Sequence, residues 1–235
     1  RRGALKQEGL SYIGVPVRLG LTSGDQLIAV ADLVESLARD VRVTRQQNLI
    51  VTGVPNAQLE TVGARLAELG LPLETNQIWA NSIACTGEPH CSFSVGETKT
   101  RLHTLVEHLE TTFGADAAEL RLHLDGCPHA CAHHWVGDIG FQGSTVRDAE
   151  GKRREAYDIF LRGALGPHAA IARAVFRRVP SEELDQPVTA LIASWLDRRS
   201  ENESFRSFCD RLRDDELGAI TGLEPSRNRH EEVAA

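Results

Sequence analysis

The 235-residue sequence has no methionine and no long apolar run. A membrane-spanning helix needs about 20 predominantly apolar residues, so we expect no transmembrane segment. The opening stretch RRGALKQEGL lacks the apolar core of a secretory signal, which favours a cytoplasmic location. Because a newly made chain begins with methionine, the lack of this residue predicts a processed chain or a piece of a longer one.

Positive charge is also scarce. The formal net charge is −7, and the short basic run at 152–154 is the type expected at a solvated hairpin tip. Non-specific binding to nucleic acid needs a basic face, so we do not expect a nucleic-acid partner. Hydrophobic residues make up 41% and charged residues 25%, which is typical of a soluble globular protein. The length is sufficient for two domains with their own cores.

The first third of the chain alternates predicted strands and helices. In chain order, these are a strand over 10–17, a helix through Arg39, strands over 41–44 and 48–54, and a helix from Asn56 to Gly70. Pro16 suggests that the first strand lies at a sheet edge. This order predicts a ferredoxin-like α/β sandwich, which we assign to residues 1–76.

The rest of the chain predicts a larger mixed α/β domain over 77–222, followed by a frayed tail over 223–235. VGDIGFQGSTV and EAYDIFLRG flank the polar stretch DAEGKRR, as expected for a hairpin. The other predicted elements are helices over roughly 96–113, 168–178, 181–199 and 204–219 and a strand within 120–126. The predicted fold class is therefore α+β.

Four of the five cysteines form two close pairs, Cys85-x5-Cys91 and Cys127-x3-Cys131. By itself the stretch LDGCPHACAHHW suits a zinc site, a haem site, a redox pair or an iron–sulfur anchor. Four thiolates complete the ligand set of a [4Fe–4S] cluster. Structural zinc sites generally use C-x2–4-C pairs and redox thiols use C-x-x-C, so the spacing favours the cluster. Zinc and unrelated buried cysteines remain as alternatives.

The residues around these pairs support the same interpretation. Glycine and proline occur in both CTGEPHC and GCPHAC, where a backbone must bend sharply around an inorganic core. Cys209, on a predicted helix, is interpreted as a core residue. A histidine beside a cluster more often donates a hydrogen bond than binds metal, and this applies to His90, His129, His133 and His134.

Taken together, these motifs resemble the sirohaem- and [4Fe–4S]-containing nitrite and sulfite reductases. The resemblance rests on C-x5-C followed by G-C-P-x-x-C, and on VRVTRQQNLIV, which is similar to the family's R-x-T-x-x-Q-N segment. VGDIGFQG and AYDIFLRGALG extend it to about residues 8–220. ACTGEPHC followed by ETK resembles the nitrite-reductase version more closely. One departure is His129, where the family usually has asparagine.

The resemblance implies two cofactors, a [4Fe–4S] cluster and a sirohaem joined through one cysteine sulfur. The bridging cysteine of the family corresponds to Cys131, which leaves Cys85, Cys91 and Cys127 for the other irons. The sirohaem contacts implied for the first domain are Arg42, Thr44, Gln47 and Asn48, with His129 near the sirohaem or the cluster. A plainer interpretation is that Gln47 and Asn48 form a polar turn at the end of a strand.

The function implied by the resemblance is that of an oxidoreductase, an assimilatory nitrite reductase that takes six electrons from ferredoxin. Sulfite reduction is the alternative. Further alternatives are an oxygenase like precorrin-3B synthase, a cluster-only electron-transfer module and a zinc-binding module. The sequence resembles only the carboxy-terminal half of the family. The amino-terminal half, in cis or as a subunit, would supply the cations that bind the small anion, so this chain alone is expected to lack a complete substrate pocket.

Overall fold

The computed structural model describes residues 2–73 and 77–226, which divide into two compact units between Asn81 and Ser82. Two sheets and six α-helices in the described residues confirm the predicted α+β class. The predicted domain boundary at residue 76 and most of the predicted tail lie outside the described residues. In the part of the chain that is described, no helix combines the length and the apolar character that a membrane crossing requires.

The first unit is a four-stranded antiparallel sheet with two helices. Its elements are β1 (Arg2–Ala4), β2 (Leu10–Val15), α1 (Gly24–Leu37), β3 (Asp40–Val43), β4 (Leu49–Pro55) and α2 (Leu59–Glu68). The strand order β1-β2-β4-β3 and the intervening helices confirm the ferredoxin-like arrangement. Ser23 caps α1 through a capping box with Gln26. Apolar side chains of the strands and of both helices form one core.

The interpretation of β2 as an edge strand is wrong. β2 pairs with β1 on one side and with β4 on the other, so it is a central strand. The strand ends at Val15, one residue before Pro16. The proline therefore removes no hydrogen-bond donor from the sheet, and its presence does not restrict the strand to an edge.

The second unit contains a five-stranded mixed sheet. Its strands are β5 (Ile83–Ala84), β6 (Leu122–Asp125), β7 (Ile139–Arg147), β8 (Arg153–Leu161) and β9 (Arg173–Pro180), in that spatial order. Its helices are α3 (Thr98–Phe113), α4 (Asp185–Arg198), α5 (Phe205–Arg211) and α6 (Asp214–Thr221). β5, β6 and β7 are mutually parallel, whereas β7, β8 and β9 are antiparallel. The hairpin around DAEGKRR is confirmed as β7 and β8.

Two helix predictions for the second unit are wrong. The helix predicted over 168–178 is instead an irregular segment followed by β9, whose Val175, Phe176 and Val179 are buried against the sheet. Alanine and arginine favour a helix locally, but pairing with β8 overrides this preference. The helix predicted over 204–219 is two helices, α5 and α6, because the backbone at Leu212 and Arg213 is extended.

A buried carboxylate just before β7 makes stability depend on pH. Asp138 accepts the N–H of Arg121 at 2.9 Å, yet burial raises the pKa of its carboxyl group to about 6. The pKa of an unfolded aspartate is about 3.9, so folding becomes less favourable as the pH rises from about 4 to 6. We expect Asp138→Asn to raise the free energy of unfolding by about 1–2 kcal/mol near pH 8 and to change it little near pH 4. Urea unfolding at both pH values measures this, and an equal effect at both would contradict it.

Candidate metal centre

The two cysteine pairs lie in loops that follow neighbouring parallel strands. Cys85 comes directly after β5, and Cys127 comes two residues after the end of β6. The N–H of Cys85 donates to the carbonyl of Leu124 at 2.9 Å, which continues the pairing of the two strands. Because the carboxyl ends of parallel strands meet at one edge of a sheet, the topology brings both loops to the same place.

Cys85 is the most enclosed of the four thiols. Its residue surface is 8% exposed, and its Sγ accepts the N–H of Gly126 at 3.2 Å. The hydroxyl of Thr98 donates to the carbonyl of Cys85 at 2.8 Å and so fixes the start of this loop against α3. Hydrogen bonds to ligand sulfur are one means by which a protein sets the potential of an iron–sulfur cluster.

Two close backbone approaches explain the glycines of the loops. Gly87 has φ +68°, and a Cβ there would lie 2.4 Å from Thr98 Oγ1. Gly126 faces Ser94, whose Oγ would lie 1.9 Å from an added Cβ. The N–H of Val95 donates to the carbonyl of Gly126 at 3.0 Å and joins the two loops directly. These positions need glycine because neither loop leaves room for a side chain.

The thiol of Cys131 is influenced by the charges of the other three cysteines. Partial burial raises the pKa of Cys131, and the negative charges of Asp125, Cys85, Cys127 and Cys91 raise it further. A cationic iron–sulfur core would offset this repulsion at Cys131. In the described ranges, no three His, Cys, Asp or Glu side chains converge on one point. A [4Fe–4S] cluster spreads its four ligands over four irons, so the donor set fits this cofactor.

Lys99 is a cation at this site that sequence reasoning missed. It lies in the first turn of α3, and its Nζ donates to the carbonyl of Ala84 at 2.9 Å. Burial lowers the pKa of this amine to about 8, while the charge of Cys85 acts in the opposite direction. Lys99 belongs to the ETK segment of the sequence. Only the fold shows that its amine lies at the end of β5.

The histidines differ more than the sequence indicated. The ring of His129 packs edge-on against Phe93 with centroids 5.1 Å apart, so it joins the tip of one cysteine loop to the other. His134 is fully buried and bonded to Asp125. His123, on β6, is 2% exposed, and burial lowers its pKa to about 4.

Of the residues predicted to contact sirohaem in the first unit, Arg42 lies near the end of β3 and the other three lie in the turn between β3 and β4. The N–H of Thr44 donates to the carbonyl of Asn48 at 2.8 Å, and Thr44 Oγ1 accepts the N–H of Asn48 at 3.1 Å. Gln47 has φ +60°, and exposed Arg42 bonds Asp40 at 2.9 Å. The polar-turn interpretation therefore describes their local role, and contact with sirohaem stays a prediction.

The chain is similar in sequence to known nitrite and sulfite reductases. The model of the nitrite/sulfite reductase ferredoxin-like half domain matches residues 4–69. A protein of Mycolicibacterium paratuberculosis named sulfite reductase (ferredoxin) 1 is 36% identical over 90% of this chain. The chloroplastic ferredoxin–nitrite reductase of Zea mays is 33% identical over 80% of it. The chain spans 39% and 33% of the lengths of these two relatives.

Solved structures agree with the sequence comparisons. The NirA protein of Mycobacterium tuberculosis superposes on 90% of the chain with a TM-score of 0.81 and 32% identity, and the chain covers 40% of it. Dissimilatory sulfite reductase I shares only the fold, with a TM-score of 0.67 and 11% identity. The ferredoxin-like unit therefore belongs to the nitrite/sulfite reductase half-domain family, and most of the chain is similar to reductases of both kinds.

Proposed function

We propose that the chain is the part of a ferredoxin-dependent nitrite or sulfite reductase that binds the [4Fe–4S] cluster and the sirohaem. The observation that supports this proposal is that the two cysteine loops follow adjacent parallel strands, which brings both loops to one edge of the sheet. The relatives named for both activities support the reaction class, a six-electron reduction of a small oxyanion.

Each cysteine has a proposed role. When bound, the cluster supplies electrons one at a time and the sirohaem supplies an iron whose open face binds the anion. Cys85, Cys91 and Cys127 would each hold one iron of the cluster. Cys131 would hold the fourth iron and also contact the sirohaem, as the resemblance to the family implies. Its exposure supports this role, because a thiol that contacts a second cofactor must be accessible.

Two groups tune the cluster in this proposal. The N–H of Gly126 stabilises negative charge on Cys85 Sγ, and the charge of the Lys99 ammonium also favours it. A reduced cluster carries one more negative charge than an oxidised one. Both groups therefore raise the reduction potential and favour uptake of an electron from ferredoxin.

Sirohaem binding is proposed for the turn between β3 and β4. Sirohaem is polyanionic, and the exposed guanidinium of Arg42 is suited to one of its carboxylates. The polar side chains of Thr44, Gln47 and Asn48 offer hydrogen bonds at the same turn. The cations that bind the substrate anion would come from an amino-terminal half, in cis or as a subunit.

Nitrite and sulfite are both retained as substrates. The ACTGEPHC and ETK segments predict nitrite, whereas proteins named sulfite reductase are among the most similar relatives. Titrating each anion into the chain loaded with iron, sulfide and sirohaem, and following the haem absorption, compares them directly. The anion of the natural reaction is expected to shift the spectrum at the lower concentration.

The main experiment loads the purified chain anaerobically with iron, sulfide and sirohaem. We expect about four irons and four sulfides per chain, one tetrapyrrole and no substantial turnover of either anion by the chain alone. Cluster without tetrapyrrole would favour an electron-transfer module or a relative of precorrin-3B synthase. A colourless protein with one zinc would overturn the proposal, and fast turnover would refute the need for a second half.

Replacing His129 with asparagine tests its contact with the cofactors. His129→Asn removes the ring that packs on Phe93 but keeps a hydrogen-bond donor, so the cluster is expected to remain. The haem spectrum or the reduction potential is expected to shift, because the donor changes in reach and charge. Iron content and a redox titration measure both, with Phe93→Leu as the control for lost ring packing. Loss of the cluster would contradict this assignment.

A further inference from the structure

A buried carboxylate lies beneath the loop that carries Cys131. Asp125 is the last residue of β6 and is 1% exposed. Its Oδ1 accepts the N–H of Ala132 at 2.6 Å, and its Oδ2 accepts the N–H of His134 at 3.1 Å. Both oxygens thus accept backbone N–H groups from two of the three residues that follow Cys131. A carboxylate bonded to backbone N–H groups forms charge-assisted hydrogen bonds, which are stronger than neutral ones.

The imidazole of His134 completes the arrangement. Its Nδ1 lies 2.9 Å from Asp125 Oδ2, and because a carboxylate can only accept, Nδ1 carries the proton. The ring is fully buried and packs edge-on against Trp135 and Phe160. It supplies a third hydrogen bond to a carboxylate that is otherwise removed from water. A buried charge persists only when it is satisfied in this way.

The loop needs such support because its backbone is strained on both sides of Cys131. Ala130 has φ +55° and His133 has φ +58°, and neither residue is glycine. Residues with a side chain adopt the left-handed conformation at a cost in free energy, and they stay there only when their surroundings hold them. The N–H of His133 donates to the carbonyl of Ala130 at 2.9 Å, which closes the turn around Cys131. Asp125 holds the far end of this turn.

We propose that Asp125 is the positioning residue for Cys131: its carboxylate fixes the strained turn so that this thiol, among the four, points to its iron. The inference rests on the proposed function in one respect, the identity of the bound cluster. Cys131 has this need because it is exposed, whereas Cys85 is buried and held by Gly126 and Thr98. Loss of the carboxylate should therefore affect only the iron that Cys131 would bind, and not the other three irons of the cluster.

The first test needs no metal. Amide hydrogen exchange is measured on the full chain without cofactor, comparing wild type with Asp125→Asn. We expect the amides of Ala132 and His134 to exchange at least about tenfold faster in the variant, which corresponds to losing one charge-assisted hydrogen bond. Asp138→Asn is the matched control, since Asp138 is also buried but bonds the N–H of Arg121. Unchanged exchange in Asp125→Asn would overturn the proposal.

The second test uses iron and sulfide reconstitution with electron paramagnetic resonance. Asp125→Asn is expected to lower the fraction of four-iron cluster at least about tenfold and to leave a three-iron species, the same result that we expect for Cys131→Ser. The double variant Asp125→Asn/Cys131→Ser should have the same cluster content as Cys131→Ser alone, since both substitutions affect the same iron. Asp138→Asn should load like wild type.

The outcomes separate the two proposals. If the wild-type chain takes up no cluster, the proposed function fails, and the exchange experiment still decides whether Asp125 holds the turn. If wild type loads a four-iron cluster and Asp125→Asn loads it equally well, the positioning role is overturned. A variant that loses every iron together with its cooperative thermal unfolding would show general unfolding, and this also overturns a role specific to Cys131.

Discussion

Replacing Cys85 with alanine is expected to abolish uptake of the iron–sulfur cluster. Cys85 is buried, and its Sγ accepts a hydrogen bond from the N–H of Gly126 in the other cysteine loop. Alanine removes one of the four proposed ligands and also the hydrogen bond between the loops. Iron and sulfide per chain after anaerobic reconstitution should fall to background, and the visible absorption of the cluster should disappear.

Cys209 provides the matched control for this substitution. It is also a buried cysteine, it lies on α5, and burial raises the pKa of its thiol well above the ordinary range. A thiol that stays protonated is a poor metal ligand. Cys209→Ala should therefore leave iron and sulfide content unchanged. Equal loss of cluster in both variants would contradict the assignment of the ligands.

Replacing Gly143 with alanine is expected to damage both the sheet and the site. Gly143 lies in β7, and an added Cβ would stand 2.4 Å from the carbonyl oxygen and 2.5 Å from the carbonyl carbon of Gly126. Both atoms belong to the main chain beside Cys127, so they cannot rotate away as a side chain would. We expect the free energy of unfolding to fall by about 2–3 kcal/mol, as for overpacked cores. Urea unfolding of the chain without cofactor measures it.

The same variant should also load less cluster, because the main chain that is displaced carries the N–H bonded to Cys85. Gly24→Ala is the control, since Gly24 begins α1 and nothing lies within 4 Å of a Cβ there. An isolated substitution of this kind generally changes stability by less than about 0.5 kcal/mol. Similar stability losses in the two variants would show that the close approach at Gly143 is unimportant.

Local patterns predicted the elements that are stabilised locally. The hairpin of β7 and β8 follows from alternation around a polar turn, and α1 follows from its cap and its apolar face. β9 was missed because its sequence favours a helix and its strand state depends on pairing with β8. Such long-range pairing leaves no local signal.

The candidate site shows the same division. The four cysteines are recognisable because ligand spacing is a short-range property of the chain. Asp125 and Lys99 were not recognised, since an aspartate before a turn and a lysine on a helix are common in any sequence. Their importance comes from burial. Asp125 is only 1% exposed, and burial lowers the pKa of Lys99 to about 8.

From the position of the cysteine loops we also expect a definite order of folding and iron binding. Thirty-five residues, including all of α3, separate Cys91 from Cys127, and the two pairs meet only when β5 lies beside β6. In an unfolded chain, iron binding alone would have to offset the entropy lost when these distant segments come together. In the folded chain, packing of the sheet has already offset this entropy loss. Iron is thus expected to enter a folded site, and metal delivery in the cell would act on a finished sheet rather than on a nascent chain.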